Sequence, residues 1–282
     1  MKKRIIIIVV CLLAALALTA VLIPKEVYTK WFGKNNLDEN SSAYNILVYV
    51  KNDKNKIVGV NVPVNSLEED QIRQKWDILT TNSEMIPEGY ASLLTKDIVL
   101  NDYSIEERTL KLELTEQITE TTRETLESLV WTYVDENIDN LEIYVNGEMI
   151  NEVSDYTFYE LNKKMGINYQ YETMYLYEST ATTIVYQEDN YIMPVTYFHL
   201  NEDVCDYIVM KILDNIDSST YDYTLEDSVL TLDFVDASVL TTNQIASISE
   251  TVALNFDLNS LNINNNENVF YQRVFKEMTE NE

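Results

Sequence analysis

One histidine (His199), two cysteines and 47 carboxylates are what this 282-residue chain offers for chemistry. A Ser-His-acid triad around His199 is formally open, but the sequence holds no Gly-x-Ser-x-Gly elbow. The histidine also closes an alternating apolar run, where a strand residue is expected. Histidine-based zinc lacks partners. With only Cys205 outside the N-terminal apolar run, neither a thiolate zinc cluster nor a disulfide between soluble parts can form. Cys205 lies within a helical apolar pattern and reads as a buried, inert thiol. Five scattered glycines cannot make a phosphate-cradling loop. Carboxylates are so frequent that proximity of any two carries little information, although a glycosidase would need just one pair ~5–9.5 Å apart in a shared pocket. The oxygen-rich set Asp257, Asn259, Asn262, Asn264, Asn266 and Glu267 lacks the central Gly and terminal Glu of an EF-hand loop, and a solvated Asn-rich hairpin is the plainer reading. No catalytic, cofactor-binding or metal-ligating residue is therefore assigned.

The elements that would carry such residues begin with an address. Lys2, Lys3 and Arg4 precede Ile5–Ile23, nineteen residues whose one hydroxyl is Thr19, ended by Pro24 and Lys25. At ~1.5 Å per residue the run matches the ~30 Å hydrocarbon thickness, so an N-terminal transmembrane anchor is expected, with the basic flank cytoplasmic and the rest outside. A signal peptide cut after Ala15-Leu16-Ala17 or Leu18-Thr19-Ala20 is the competing reading, which would leave the protein secreted. Cys11 comes too early, after Ile8-Val9-Val10, for a lipoprotein signal. Trp31-Phe32 would suit an interfacial anchor. Beyond residue 34 the 14 basic and 46 acidic residues leave a net charge of −32. Such a surface repels nucleic acid, anionic lipid and polyanionic wall polymer.

The soluble part repeats itself. Asn45–Asn65 and Thr182–Asn201 are each two alternating apolar runs about a polar turn (Lys51–Lys56; Gln187–Asn190) and read as β-hairpins. Helical patterns follow over Glu68–Thr80, with Ile72, Trp76 and Leu79 on one stripe, and over Asp203–Asp214, with Val204, Ile208 and Ile212. Arg108–Ile118, Thr121–Asn137 and Leu141–Ile150 then align with Ser228–Ser238, Thr242–Asn255 and Leu261–Phe270 as strand, helix and strand. Thr121-Thr122 and Thr241-Thr242 stand where N-caps are wanted, and Asn146-Gly147 is a tight-turn pair. Trp76 and Trp131 fall on apolar stripes and are expected in the core. Each unit reads β-β-α-β-β-α-β, an α+β fold in which sheets cover one-sided helices. The expected organisation is an anchor and flank (1–34), two small sheet-plus-two-helix domains (45–151 and 182–275), an aromatic-rich connector (152–181) and a tail (276–282). The connector carries Tyr156, Phe158, Tyr159, Tyr169, Tyr171, Tyr175 and Tyr177, too aromatic for a floppy tether.

The pattern resembles the GerM (sporulation and spore germination) domain family. The resemblance rests on Val48–Val64, Leu79, Met85-Ile86-Pro87-Glu88-Gly89, the Leu110–Thr115 strand and Leu141–Glu148, whose Val-Asn-Gly-Glu end is its most family-like tetrad. It covers Asn45–Asn151 well and Thr182–Phe275 weakly. The second copy lacks the Pro-x-Gly segment, and Asn264-Asn265-Asn266-Glu267 stands in for Val-Asn-Gly-Glu. The resemblance implies a non-enzymatic module of the bacterial envelope, related to ring-building domains. The expected function is a membrane-anchored extracytoplasmic scaffold or adaptor in sporulation or germination. Its expected partners are envelope proteins, reached through an open sheet edge and favoured when basic. A wall-glycan-binding or hydrolase-presenting module is the alternative, to be recognised by exposed tyrosines within Asn151–Ala181. A carboxylate glycosidase is the remaining one.

Overall fold

Strand and helix alternate as the apolar periods dictate in the computed structural model, which describes residues 44–214 and 220–275. The Ile5–Ile23 run, Trp31-Phe32 and the 276–282 tail lie outside the described residues. Among the described residues no helix is long and apolar enough to cross a membrane.

The first unit runs β1 (Tyr44–Asn52), β2 (Ile57–Val64), α1 (Gln71–Leu79), β3 (Tyr90–Ala91), β4 (Leu100–Glu106), β5 (Thr109–Leu114), α2 (Arg123–Tyr133), β6 (Asn140–Val145) and β7 (Glu148–Met149). Three short strands follow, β8 (Glu152–Val153), β9 (Tyr156–Thr157) and β10 (Gln170–Tyr171). The second unit repeats the order as β11 (Thr180–Gln187), β12 (Ile192–His199), α3 (Val204–Leu213), β13 (Tyr221–Glu226), β14 (Val229–Phe234), α4 (Thr242–Asn255), β15 (Ser260–Asn265) and β16 (Asn268–Val274). Each unit therefore has a four-stranded sheet, β4-β5-β6-β7 or β13-β14-β15-β16, with the helix-connected pair parallel and its outer neighbours antiparallel. A helix is the crossover that a parallel pair requires.

The repeat extends to single hydrogen bonds. Asp70 and Asp203 cap α1 and α3, and each carboxylate also receives a tyrosine hydroxyl, Tyr103 at 2.9 Å and Tyr223 at 2.8 Å. A 310 turn precedes each second helix, but the caps differ. Thr241 makes a capping box with Gln244, whereas Thr122 occupies the N-cap of α2 without a side-chain bond. The four tight turns each put two residues at positive φ: Glu107-Arg108, Asn146-Gly147, Asp227-Ser228 and Asn266-Glu267. The alignment of Leu141–Ile150 with Leu261–Phe270 holds, and the stand-in for Val-Asn-Gly-Glu moves by one residue, from Asn264–Glu267 to Asn265–Asn268. Asn265 pairs with Asn268 across the turn as Val145 pairs with Glu148, so Glu267 at φ +64° occupies the place of Gly147. Its amide donates to Asp233 as that of Gly147 donates to Glu113, which fixes the register.

Leu110, Leu112, Leu114, Leu126, Leu129, Val130 and Ile143 fill the first core, and Leu230, Leu232, Phe234, Ile248, Val252, Leu261 and Ile263 the second. Each such side chain contributes roughly 1.5–3 kcal/mol on burial. The second helices do more than cover a sheet. Thr251 Oγ1 accepts from Val185 N–H at 2.9 Å, Ser247 Oγ from Gln187 N–H at 2.8 Å and Asn255 Oδ1 from Thr183 N–H at 3.2 Å, while Asn255 returns a bond to Thr183 C=O at 2.7 Å. Helix positions i, i+4, i+8 advance ~6 Å per step and strand positions i, i+2, i+4 ~6.6 Å, so the two ladders match. On α2, Thr132 and Ser128 serve the Tyr49 N–H and C=O in the same way. The edges of β1 and β11 that an open sandwich would leave for strand addition are thus occupied by helix side chains along these stretches.

Candidate functional site

The two hairpins do not stay in separate sheets. β1, β2, β3, β10, β11 and β12 form one six-stranded sheet, in which β12 pairs antiparallel with β11 along its length, parallel with β10 at Tyr197 and Phe198, and touches β2 through Ile192 and Gly59. Where β12 and β2 diverge, the side chain of Asn168 fills the gap. Its Oδ1 accepts from Ile57 N–H at 2.9 Å, and its Nδ2 donates to Ile57 C=O at 2.6 Å and to Pro194 C=O at 2.8 Å. One buried amide at φ +50° thereby satisfies three backbone groups from both units, in a region where each unpaired group would carry a desolvation penalty. Thr196, bonded to the Ile167 amide and to Thr183, lies directly against Gly166, so that a Cβ there would meet Thr196 Oγ1 at 2.8 Å. The aromatic connector is a structural wedge at this point.

Helix α2 faces the same wedge. The Arg123 guanidinium lies 4.5 Å from the Tyr156 ring centroid and 4.1 Å from that of Tyr169, and donates to Met165 C=O at 3.0 Å. Its Nε is 3.0 Å from Glu127 Oε1, outside hydrogen-bond geometry, so this pair is a Coulombic contact. Burial pushes the Glu127 carboxyl up to about 7 against the pull of Arg123. One helical turn on, Trp131 is buried beneath Lys163, whose ammonium lies 5.0 Å from the indole centroid. Burial holds that ammonium below the usual lysine range, with Glu250 and Asp135 opposing. Beside them a cleft of about 610 Å³ opens between the units, lined by Leu47 and Tyr49 of the first, Val185 and Glu250 of the second and Arg273 at the end of β16. Arg273 is paired with Glu250 at 2.5 Å.

The residues singled out in the sequence are not brought together. His199 is buried, stacked on Tyr207 at 3.5 Å, with Nε2 2.8 Å from Thr182 Oγ1, and burial lowers its pKa. Cys205 is buried and its thiol is pushed up to about 12 by burial. Trp76 and Trp131 are core residues. Asn262 and Asn264 lie along β15, Asn266 and Glu267 in the turn after it, and Asp257 and Asn259 before it. They are strung out along a hairpin. The Glu127 carboxyl is pushed upward by burial, and it is enclosed against Arg123. In the connector Phe158 is buried, Tyr156 and Tyr169 clamp Arg123, and Tyr159, Tyr171, Tyr175 and Tyr177 are exposed. The sequence marks neither Arg123 nor Lys163 as special, and for Asn168 the local signal is its nearness to Gly166, both residues of a type that tolerates positive φ.

The family model described as Germane: Sporulation and spore germination matches residues 47–151. The tandem GerMN domains of the sporulation protein GerM from Bacillus subtilis superpose with a TM-score of 0.67 at 19 % identity, over 80 % of this chain and 92 % of that one. The first GerMN domain of the same protein alone gives 0.39 at 20 % identity, over 43 % and 98 %. No curated protein matches the chain in sequence. At this identity the tandem match establishes the fold.

Proposed function

From the premise that residues 47–151 are a GerM-type sporulation and germination domain whose fold is repeated in tandem, we propose that the protein is a non-enzymatic scaffold or adaptor of the bacterial envelope that docks other envelope proteins. It is anchored by Ile5–Ile23 with both units outside the cytoplasm. The observation that carries this reading is where the unusual groups are used. Asn168 and His199, both enclosed, and Arg123, half-buried, each hold one element to another, and Glu127 is enclosed against Arg123 on the same helix. A chain that devotes its buried polar groups to fixing two units in a single sheet makes a rigid presenting surface, which an adaptor needs and which pre-organises contact. Photocrosslinkers placed on exposed positions of both units in living cells should yield protein adducts, and protease added to intact protoplasts should remove both units. Protected units or the absence of adducts from every position would refute it.

The exposed Tyr159, Tyr171, Tyr175 and Tyr177 favour a second reading, wall-glycan binding, because sugars stack on accessible rings. Titration calorimetry with solubilised peptidoglycan fragments tests it: heat that disappears in Tyr175→Ser would support that reading, and no heat would discard it.

A further inference from the structure

Between β10 and β11 the chain makes a short excursion, Glu172-Thr173-Met174-Tyr175-Leu176-Tyr177-Glu178, that puts its apolar side chains outward. Met174 is 93 % exposed, Tyr175 66 %, Leu176 51 %, and Tyr177 is fully exposed. Four large apolar residues in a row on the surface of a chain this acidic are not explained by its own packing. Nor are they slack. On the entering side β10 pairs with β12, the Glu172 amide donates to Phe198 C=O at 2.9 Å, and Tyr171 stacks on Phe198 at 5.0 Å with 13° between planes. The Glu172 carboxylate receives Tyr207 Oη at 2.9 Å and the Lys211 ammonium, both from α3. Within the excursion Tyr175 N–H bonds Thr173 Oγ1 at 3.0 Å, Glu178 N–H bonds Tyr175 C=O at 3.1 Å, and Ser179 Oγ bonds Leu176 C=O at 2.8 Å. The tip is held at both ends and braced inside, so ordering it on contact costs little.

Its charge surroundings select the occupant. From residue 165 to residue 211 the sequence has seven acids, Glu172 and Glu178 among them, and one base, Lys211, which is already paired with Glu172. Such a field disfavours an anionic lipid surface, which basic residues normally engage. Met174 and Leu176, interleaved with the tyrosines, offer a sugar neither a flat ring nor a hydrogen bond. They suit an apolar protein pocket.

We propose that Met174–Tyr177 is a pre-organised knob that inserts into an apolar pocket, rimmed by Lys or Arg, on another extracytoplasmic protein. This rests on the docking reading above and names its surface. The test uses the full chain with Tyr177→p-benzoylphenylalanine in cells, and Phe270→p-benzoylphenylalanine on β16 as a second position. The expected result is an adduct from position 177 with a protein that is then identified and purified. Its affinity for the full chain should fall at least ~10-fold in Met174→Ser/Tyr175→Ser/Leu176→Ser, a loss typical of buried apolar anchors. Affinity should fall severalfold in Glu178→Lys, and decline with salt in the wild type. Unchanged melting of both variants separates lost docking from lost folding. Adducts from 270 with none from 177 would overturn the knob and leave the docking reading standing, whereas none from 177, from 270 or from any other exposed position of either unit would remove both. An affinity indifferent to the triple substitution, binding to phosphatidylcholine or 7:3 phosphatidylcholine:phosphatidylglycerol vesicles that falls in the triple substitution while the Ile5–Ile23 run is kept, or adducts on glycan strands alone would each overturn the knob.

Discussion

Replacing Asn168 by alanine removes the amide that joins the two hairpins. The loss is three hydrogen bonds, two to Ile57 and one to Pro194, and the three backbone groups left behind are enclosed. Each unsatisfied group costs roughly 1–3 kcal/mol, and partial entry of water into the space vacated by the side chain reduces the sum to about 3–5 kcal/mol. Alanine at φ +50° adds roughly 1 kcal/mol of backbone strain, which glycine would not carry. Asn168→Ala should therefore be the most destabilising of the pair, with Asn168→Gly about 1 kcal/mol milder. Asn168→Asp keeps the acceptor for Ile57 N–H but turns a carboxylate oxygen toward the Ile57 and Pro194 carbonyls, and should be worse than Ala at neutral pH. With Trp31 replaced by Phe, urea unfolding followed by tryptophan fluorescence reads the first unit, since Trp76 and Trp131 both lie there, and far-ultraviolet dichroism reads both. With Asn168 in place the two probes should coincide; in Asn168→Ala they should separate as the units uncouple. A loss below 1 kcal/mol with coincident probes would refute the account of the seam.

Three further outcomes follow from single contacts. The Glu127 carboxyl, raised from 4.5 to about 7, binds its proton in the folded state more tightly than in the unfolded one, so stability is greatest below the unfolded value and falls as pH rises from about 4.5 to about 7. The fall attributable to this group is on the order of 3 kcal/mol, and Glu127→Gln should flatten it in urea titrations between pH 4.5 and 8; an unchanged slope would exclude the assignment. Glu267→Gly should stabilise by roughly 0.5–1 kcal/mol, because φ +64° is free to glycine and the amide bond to Asp233 is kept; a lower melting temperature would contradict this. Thr251→Val leaves the Val185 N–H without its acceptor at the edge of β11 and should cost about 1–2 kcal/mol in the same urea assay; a neutral result would mean that the helix side chains do not satisfy this edge.

Local signals carried the units and failed at their junction, for a physical reason visible in particular residues. Apolar alternation in Leu110, Leu112 and Leu114, and the recurrence of Leu126, Leu129, Val130 and Tyr133, depend on neighbours a few positions away, and all seven are buried as their periods require. Thr242–Asn255 has the helix limits that its cap and stripe predict. Ser247, Thr251 and Asn255 stand at helical spacing too, but their partners are on β11, more than 50 residues back, and a polar residue at such a position reads the same whether it faces water or an unpaired strand. Asn168 is harder still. Ile57 lies 111 residues away, and nothing around an isolated asparagine distinguishes one that tolerates positive φ in a loop from one that substitutes for a stretch of sheet. The connector is legible as packed through its aromatic content, yet composition cannot divide its tyrosines into Tyr156 and Tyr169, which hold Arg123, and Tyr175 and Tyr177, whose side chains are exposed. That division is set by where the wedge meets α2, a long-range contact. Substituting Arg123 and substituting Tyr177 should therefore separate cleanly, the first lowering stability and the second docking.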